Sequence, residues 1–271
     1  MNNDINENNK VSVANSSNDT NTMDKELNEY NITLEEQRKN FIIFDHVTKE
    51  YKNESVSTVA LNDVSFTIPR GELVIFLGHS GAGKTTALNM LGGMDFVTSG
   101  SITVAGKKIT NYDIDQLTEY RKNDIGFVFQ FFNLVQNLTV KENIELSTDI
   151  KGVQPDVNSL LQKIELEDKI NKFPSQLSGG EQQRVSIIRA IAKKPRILLC
   201  DEPTGSLDYK TGKQILSLIQ RTCREEKVTT IIITHNRAIA DMADRIIYFN
   251  SGKVVDVKVN ENPTPVEELE W

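Results

Sequence analysis

The strongest chemical signal in the sequence is a glycine-rich loop that ends in a lysine and two threonines. The loop follows an apolar run, Leu73 to Leu77, and precedes an apolar-periodic segment, an order that predicts strand, turn and helix. Glycines allow successive backbone N–H groups to face one anion, and the start of a helix adds partial positive charge. Lys84 is predicted to reach the outer phosphates of a nucleotide, and the Thr85 hydroxyl is predicted to bind Mg²⁺. The predicted phosphate-binding residues are Gly78, His79, Ser80, Gly81, Ala82, Gly83, Lys84, Thr85 and Thr86.

Two neighbouring carboxylates follow a second apolar run, Arg196 to Cys200. Since α/β sheets bind ligands at the carboxyl ends of their strands, Asp201 and Glu202 are predicted to lie at such an edge. Asp201 is the expected holder of Mg²⁺, either directly or through the groups that ligate it. Glu202 would point in another direction, where it could polarise an attacking water. Either acid alone would also fit an exposed strand end, but here the pair accompanies the glycine-rich loop.

A third motif, Ser178-Gly179-Gly180, stands at the predicted start of another helix. A hydroxyl, free N–H groups and a helix N-terminus together form a second cradle for an anion. One chain with two phosphate cradles suggests two chains that share each nucleotide.

Length and composition are those of a soluble globular protein with one large or two small domains: 271 residues, 25% charged and 38% apolar. The net charge of −7 and the lack of a basic run argue against nucleic acid as a partner. Two cysteines suit a reducing compartment, and Cys200 is expected to be a small core residue. The sequence has no run of 18 apolar residues and no signal peptide, so it predicts a cytoplasmic protein.

Composition divides the chain into three parts. Residues 1–40 are rich in Asn and contain eight acidic and four basic residues, so this extension is predicted to be disordered, with a possible helix over 23–37. Residues 41–258 alternate strand and helix patterns, which predicts an α/β sheet core with a helical lobe over about 131–190. Residues 259–271 are polar, contain proline and are expected to form a loose tail.

The octapeptide from Leu177 to Arg184 closely resembles the signature sequence of the ATP-binding cassette (ABC) family, and the resemblance covers about residues 41–257. It implies a P-loop NTPase (RecA-like) core sheet with an antiparallel β subdomain and an inserted α-helical subdomain, and it implies ATP and Mg²⁺ as ligands. It further implies that Tyr51, in a turn, stacks on adenine and that Gln130 touches Mg²⁺ and the attacking water. His235 is implied to contact the γ-phosphate.

The resemblance also implies a second copy of the chain as a partner. Two copies would close head to tail over two MgATP, with Ser178 and Gly180 of one copy on the ATP of the other. The loop from Gly205 to Asp208 resembles the segment that crosses the seam between such copies.

Two longer motifs, residues 127–134 and 201–208, resemble the branch of lipoprotein-release, macrolide-efflux and cell-division cassettes. That branch serves an integral membrane permease subunit, which implies an ATPase that is peripheral at the inner face of the cell membrane. Phe131 and Phe132 are expected to face the permease, with local core packing as the alternative. Two other functions stay open, a mechanical relay to an extracellular activity through a membrane partner and a non-transport ABC ATPase.

Overall fold

The computed structural model describes residue 35, residues 38–53 and residues 56–270. All but two of these belong to one compact unit that starts at Lys39. The predicted disordered extension over 1–40 and the possible helix over 23–37 lie outside the described residues, apart from residues 35 and 38–40.

The compact unit alternates strands and helices as the sequence predicts. The described strands are β1 Ile42–Asn53, β2 Val56–Ile68, β3 Leu73–Leu77, β4 Ser99–Val104, β5 Lys107–Lys108, β6 Ile125–Val128, β7 Ile197–Asp201, β8 Thr229–Thr234, β9 Arg245–Asn250 and β10 Lys253–Val259. The described α-helices are α1 Lys84–Leu91, α2 Ile114–Asp124, α3 Val140–Asp149, α4 Val157–Gln162, α5 Gly179–Ala192 and α6 Tyr209–Glu226.

The larger sheet has the strand order β10-β9-β3-β8-β7-β6. Strands β9, β3, β8, β7 and β6 are parallel, and β10 pairs with β9 in the antiparallel sense. Along β3, Leu73, Ile75 and Leu77 belong to one buried cluster, whereas Val74 and Phe76 belong to another. Both faces of the sheet are therefore buried, which explains the continuous apolar run of β3. The predicted α/β core is confirmed.

The smaller sheet is antiparallel, with the order β2-β1-β4-β5. Phe44 of β1 stacks on Phe66 of β2 with ring centroids 4.4 Å apart, and Phe66 meets Phe76 of β3 edge to face at 5.6 Å. These contacts join the antiparallel subdomain to the core. Register shifts after Phe44 break the alternating pattern of β1, so the sequence does not indicate how far this strand extends. Tyr51 consequently lies on β1 rather than in the expected turn.

The helical lobe packs α3 and α4 against α5. Leu161, Ile164 and Leu166 are buried in this lobe, and Leu160 is partly buried against them. Helix begins at Val140 rather than near residue 131, because Thr139 starts α3 with a capping box. Residues 131–138 form an irregular segment, which the buried Asn143 side chain holds through hydrogen bonds to nearby backbone, including the Val135 amide at 2.8 Å.

The C-terminal residues 260–270 pack against the body, so the expectation of a loose tail is wrong for them. Val266 and Leu269 are 0% and 5% exposed. The Lys213 ammonium on α6 donates to the Leu269 carbonyl at 3.0 Å, and the Ser217 hydroxyl donates to Glu267 at 2.7 Å. Two buried apolar residues in a short polar segment are too weak a sequence signal to predict this packing.

The two cysteines, Cys200 and Cys223, are buried and form no disulfide. Burial raises the pKa of the Cys200 thiol far above its ordinary value and that of Cys223 to about 11. Both thiols therefore stay protonated and act as core residues, as expected for Cys200. Within residues 38–53 and 56–270, no helix is both long and apolar enough to cross a membrane.

Candidate nucleotide-binding site

The glycine-rich loop turns directly from the end of β3 into the start of α1. At Gly78, an added Cβ would lie 2.3 Å from the Phe249 carbonyl oxygen, so only glycine fits between the loop and β9. Gly83 caps α1 with a φ of 101°, a conformation that side chains rarely adopt. The loop therefore depends on glycine at both ends, as a phosphate-binding turn requires.

Lys84 folds its side chain back across the loop. Its ammonium donates to the carbonyl oxygens of Gly78 at 2.8 Å and His79 at 2.9 Å, and the residue is only 6% exposed. Burial lowers the pKa of Lys84, while the nearby carboxylates of Glu202 and Asp201 oppose this shift. A cation held among carbonyls in a partly desolvated loop is a strong potential partner for phosphate.

The two acids lie at the carboxyl end of β7, as predicted. Asp201 Oδ1 lies 3.5 Å from the Thr85 hydroxyl oxygen. Burial, and then the negative charge of Glu202, raise the pKa of Asp201, against the opposing effects of Thr85 and Lys84. Glu202 has a left-handed backbone, with a φ of 47°, and its Oε1 lies 2.9 Å from Nδ1 of His235. Neighbouring strands β7 and β8 thus bring the acids and the histidine to one edge.

An open pocket of about 670 Å³ lies over this edge of the sheet. It brings together most of the predicted site, including residues that are far apart in sequence. The predicted residues that line it are Tyr51, Ser80, Gly81, Ala82, Gly83, Lys84, Thr85, Thr86, Gln130, Asp201, Glu202 and His235. Tyr51 enters from the smaller sheet and is 43% exposed.

The three residues Ser178, Gly179 and Gly180 are not part of the lining of this pocket. Ser178 caps α5: its hydroxyl accepts from the Glu181 amide at 3.3 Å, and the Glu181 carboxylate accepts from the Ser178 amide at 2.7 Å. Gly180 packs tightly on α6, since an added Cβ would lie 2.2 Å from Cγ2 of Thr211. The predicted second cradle is therefore held in place by this cap and by α6, and it is separate from the first.

One residue with an evident structural role at the site was not singled out from the sequence. Gln183 on α5 is fully buried, and its amide donates to the Pro203 carbonyl at 2.9 Å and the Phe129 carbonyl at 3.3 Å. These bonds tie α5 to the segments that carry Glu202 and Gln130. The available signal was a glutamine on the helix face that also buries the apolar residue Ile187, one turn further on.

Three oxygen-bearing side chains in the pocket suit Mg²⁺: the Thr85 hydroxyl, the Asp201 carboxylate and the Gln130 amide. Among the described residues, no group of three or more His, Cys, Asp or Glu side chains could hold a metal ion. A set of three oxygen donors fits an ion that takes few protein ligands and completes its coordination with phosphate and water, as Mg²⁺ does.

The parallel sheet, the glycine-rich loop after β3 and the acids after β7 define a P-loop NTPase. The sequence pattern of the ABC transporter family matches residues 61–205. A putative ABC transporter ATP-binding protein of Mycoplasma pneumoniae is 39% identical over 234 residues, which are 83% of this chain and 68% of that protein. The macrolide export ATP-binding/permease protein MacB of Bartonella quintana is 36% identical over 225 residues, 81% of this chain and 34% of that protein.

Among solved structures, a dimeric post-hydrolysis state of the ATP-binding cassette MJ0796, bound to ADP and Pi, is similar with a TM-score of 0.74. That cassette, from Methanocaldococcus jannaschii, is 40% identical, and the match covers 80% of this chain and 98% of the other. The chain spans about half the length of two other curated relatives.

The chain belongs to the ABC transporter family. The predicted resemblance to ATP-binding, ATP-hydrolysing cassettes is confirmed, as is the resemblance to the branch that includes macrolide efflux.

Proposed function

We propose that this chain is the ATPase subunit of a transporter and that two copies close head to tail over two MgATP. The observation that supports this proposal is the division of the predicted residues between two places. One pocket gathers the P-loop from Ser80 to Thr86 together with Asp201, Glu202 and His235, whereas the cradle at Ser178 lies outside its lining. Such a division is expected if each ATP is completed by a neighbouring copy.

In the proposed complex, the P-loop holds the phosphates of ATP. The Lys84 ammonium exchanges its two carbonyl partners for phosphate oxygens, and the loop N–H groups, with the N-terminus of α1, bind the remaining charge. Tyr51 stacks on the adenine at the opposite wall of the pocket. Thr85, Asp201 and Gln130 would hold Mg²⁺, which supplies neutralisation of phosphate charge when bound.

Hydrolysis requires a water that is placed opposite the leaving ADP. We assign Glu202 as the base that takes the proton of this water as its oxygen attacks the γ-phosphorus. His235, 2.9 Å from Glu202, orients that carboxylate and contacts the γ-phosphate, and Gln130 contacts the water. The products are ADP and phosphate, and positioning and electrostatics provide most of the rate gain.

The second copy supplies the other half of each site. Ser178 and Gly180 of that copy would cap the γ-phosphate with a hydroxyl, backbone N–H groups and the N-terminus of α5. Loss of the γ-phosphate removes the ligand that both copies share, so the dimer opens. We assign this opening as the step that drives an integral membrane permease, which would keep the chain at the inner face of the membrane.

A mixing experiment tests whether the site is shared between copies. Lys84→Ala removes the phosphate partner from the P-loop and should abolish ATP binding measured by calorimetry. Ser178→Asp keeps a good helix N-cap but places a negative charge against the γ-phosphate, so it should abolish hydrolysis without unfolding α5. Each variant alone is expected to be inactive.

A mixture of the two variants can form dimers in which one site has an intact P-loop from one copy and an intact cradle from the other. ATPase activity should therefore reappear on mixing and follow the fraction of mixed dimers. A mixture as inactive as its parents would contradict the shared site.

A further inference from the structure

The side chain proposed to stack on adenine stands near the exposed end of β1 and is itself partly exposed. Tyr51 is 43% exposed on β1, on the sheet that faces the P-loop across the pocket. A ring in such a place would move among rotamers and would have to be ordered each time that a nucleotide binds. Its hydroxyl, however, has a specific partner.

The Tyr51 hydroxyl donates to Oδ2 of Asp95 at 2.7 Å, although the two residues are 44 positions apart. Asp95 is itself fixed, because its Oδ1 accepts from the Lys49 ammonium at 2.6 Å and from the Phe96 amide at 2.7 Å. The Lys49 ammonium also donates to the Phe96 carbonyl at 2.7 Å. Four residues thus form one closed set of hydrogen bonds between β1 and the segment before β4.

The anchoring pair is better shielded from water than the ring it holds. The side chains of Lys49 and Asp95 are 12% and 26% exposed. Partial burial of this kind reduces screening, so the pair is more persistent than an ordinary surface ion pair. The hydrogen bonds from Lys49, Tyr51 and the Phe96 amide lower the pKa of Asp95 against the effect of burial, so Asp95 remains a carboxylate at neutral pH.

Lys49 has a second contact with the ring itself. Its ammonium lies 4.7 Å from the centroid of Tyr51, in the geometry of a cation–π interaction. One face of the ring is occupied by this cation, and the ring lines the nucleotide pocket. The opposite face is the one left for a base.

We propose that Lys49 and Asp95 are positioning residues for ATP binding, which hold the Tyr51 ring in its stacking orientation before the nucleotide arrives. This inference rests on the proposed role of Tyr51. Without these two residues, the Tyr51 side chain would have to become ordered when ATP binds. The conformational entropy lost in that ordering corresponds to about a two- to tenfold loss of affinity for ATP. The pocket would lose affinity for the base and keep its affinity for the phosphates.

The experiment compares Asp95→Asn, Lys49→Met and Tyr51→Phe by steady-state ATPase kinetics. The Asn side chain has one acceptor oxygen where the carboxylate serves three donors. Each variant is expected to raise KM for ATP about two- to tenfold, with kcat within about twofold of wild type. Since Asp95→Asn and Tyr51→Phe break the same hydrogen bond, the double variant should be little worse than either single one.

Inorganic tripolyphosphate separates positioning from general damage, because it has phosphates and no base. Its inhibition constant should be unchanged in Asp95→Asn. Asp63→Asn is a matched control: Asp63 belongs to an exposed pair with His46 in the same subdomain, away from the pocket lining. Asp63→Asn should change neither KM for ATP nor the inhibition constant of tripolyphosphate.

Three results would overturn the inference: an unchanged KM in Asp95→Asn and Lys49→Met, an equal loss of tripolyphosphate affinity, or fully additive effects in the double variant. Tyr51→Ala distinguishes the stacking role of Tyr51 from the positioning role of Lys49 and Asp95. An unchanged KM in Tyr51→Ala would remove Tyr51 from the base site and the positioning role with it. A raised KM in Tyr51→Ala beside an unchanged KM in Asp95→Asn would overturn the positioning role alone.

Discussion

Asp201 and Glu202 are adjacent carboxylates whose surroundings differ enough to separate their roles. Asp201 ends β7 beside the Thr85 hydroxyl, whereas Glu202 leaves the strand with a left-handed backbone and meets His235. A non-glycine residue in that backbone region is strained, and strain of this kind is concentrated at functional sites. The turn after β7 explains how two consecutive residues point to different parts of one pocket.

The proposed role of Glu202 as general base predicts a large effect of one small change. Glu202→Gln keeps the size of the side chain and removes the proton acceptor, so kcat should fall by about 10²–10⁴. ATP should still bind, and the shared nucleotide should hold two copies together. Phosphate-release assays and size-exclusion chromatography with MgATP measure the two effects.

Glu225→Gln, an exposed change on α6, is the matched control and should leave kcat unaltered. Normal turnover by Glu202→Gln would remove Glu202 from the role of base.

The raised pKa of Asp201 predicts that the stability of the nucleotide-free protein depends on pH in a defined direction. Because the folded state raises the pKa of Asp201, the ionised carboxylate destabilises the fold above that raised pKa. Below the ordinary pKa of a carboxyl group, both folded and unfolded states are protonated and the effect vanishes. Asp201→Asn should therefore raise the Tm of the nucleotide-free protein at pH 8, and the gain should shrink as the pH falls through the raised pKa.

Thermal unfolding from pH 4 to pH 8 tests this sign, with the exposed Asp149→Asn as control. A gain that grew as the pH fell would show that the assigned direction is wrong. The same variant should lose ATPase activity, because a neutral amide would replace the carboxylate proposed to hold Mg²⁺.

At the residue scale, the sequence identified groups that have a characteristic spacing and missed groups defined only by contact. Lys84 and Asp201 stand at fixed offsets from glycines and apolar runs, so their places were predictable. Lys49 and Asp95 lie 46 positions apart and meet only because β1 pairs with β4. Gln183 has no neighbour in sequence that indicates its bonds to Pro203 and Phe129.

At the scale of elements, the N-terminus of α5 is fixed by its contact with α6. Gly180 faces Thr211, where an added Cβ would lie 2.2 Å from Cγ2. At the neighbouring Gly179, the nearest atom to an added Cβ is Cζ of Phe132, at 3.5 Å, which is ordinary contact. The two glycines of one motif thus have different steric requirements.

The contact between Gly180 and Thr211 predicts that a second substitution can restore stability lost by a first. Gly180→Ala should lower the free energy of unfolding by about 1–3 kcal/mol, the usual cost of overpacking. Thr211→Ser removes the clashing methyl group, so the double variant should recover most of the loss. Urea unfolding measures the stability of Gly180→Ala, Thr211→Ser and the double variant, and Gly179→Ala is the matched control. No recovery in the double variant would mean that the cost arises elsewhere than at Thr211.

At the scale of the whole molecule, the sequence predicted the core sheet well because its strands are buried on both faces. Strand β3 is an uninterrupted apolar run, β7 is apolar up to Asp201, and β8 has three isoleucines between buried threonines; all three strands end at the site. The length of β1 could not be predicted, since its bulges break the alternating pattern. The packing of residues 260–270 depends on long-range contacts with α6, which no local pattern encodes.

The segment after Gln130 connects the nucleotide site to the surface of the helical lobe. From the sequence, both phenylalanines there are expected to face a membrane subunit, but in the structure they differ in exposure. Phe131 is 74% exposed, whereas Phe132 packs against the buried cluster that includes Leu177. The alternative of core packing therefore applies to Phe132, and Phe131 is the residue available for a partner. The Phe132 carbonyl also accepts from Arg189 of α5 at 3.2 Å, which ties this segment to the helix that starts at the second cradle.

The exposed ring predicts a selective loss of partner binding. Phe131→Asp should abolish co-purification of the permease with a tagged chain from detergent extracts, because a carboxylate would have to be desolvated in the contact. ATPase activity of the isolated chain should stay within about twofold of wild type, since solvent-exposed substitutions seldom disturb the fold. Ile114→Asp is the matched control, as Ile114 is 72% exposed on α2. Permease recovered with Phe131→Asp at the wild-type level would place the docking surface elsewhere, whereas a loss in both variants would point to a general effect of surface charge.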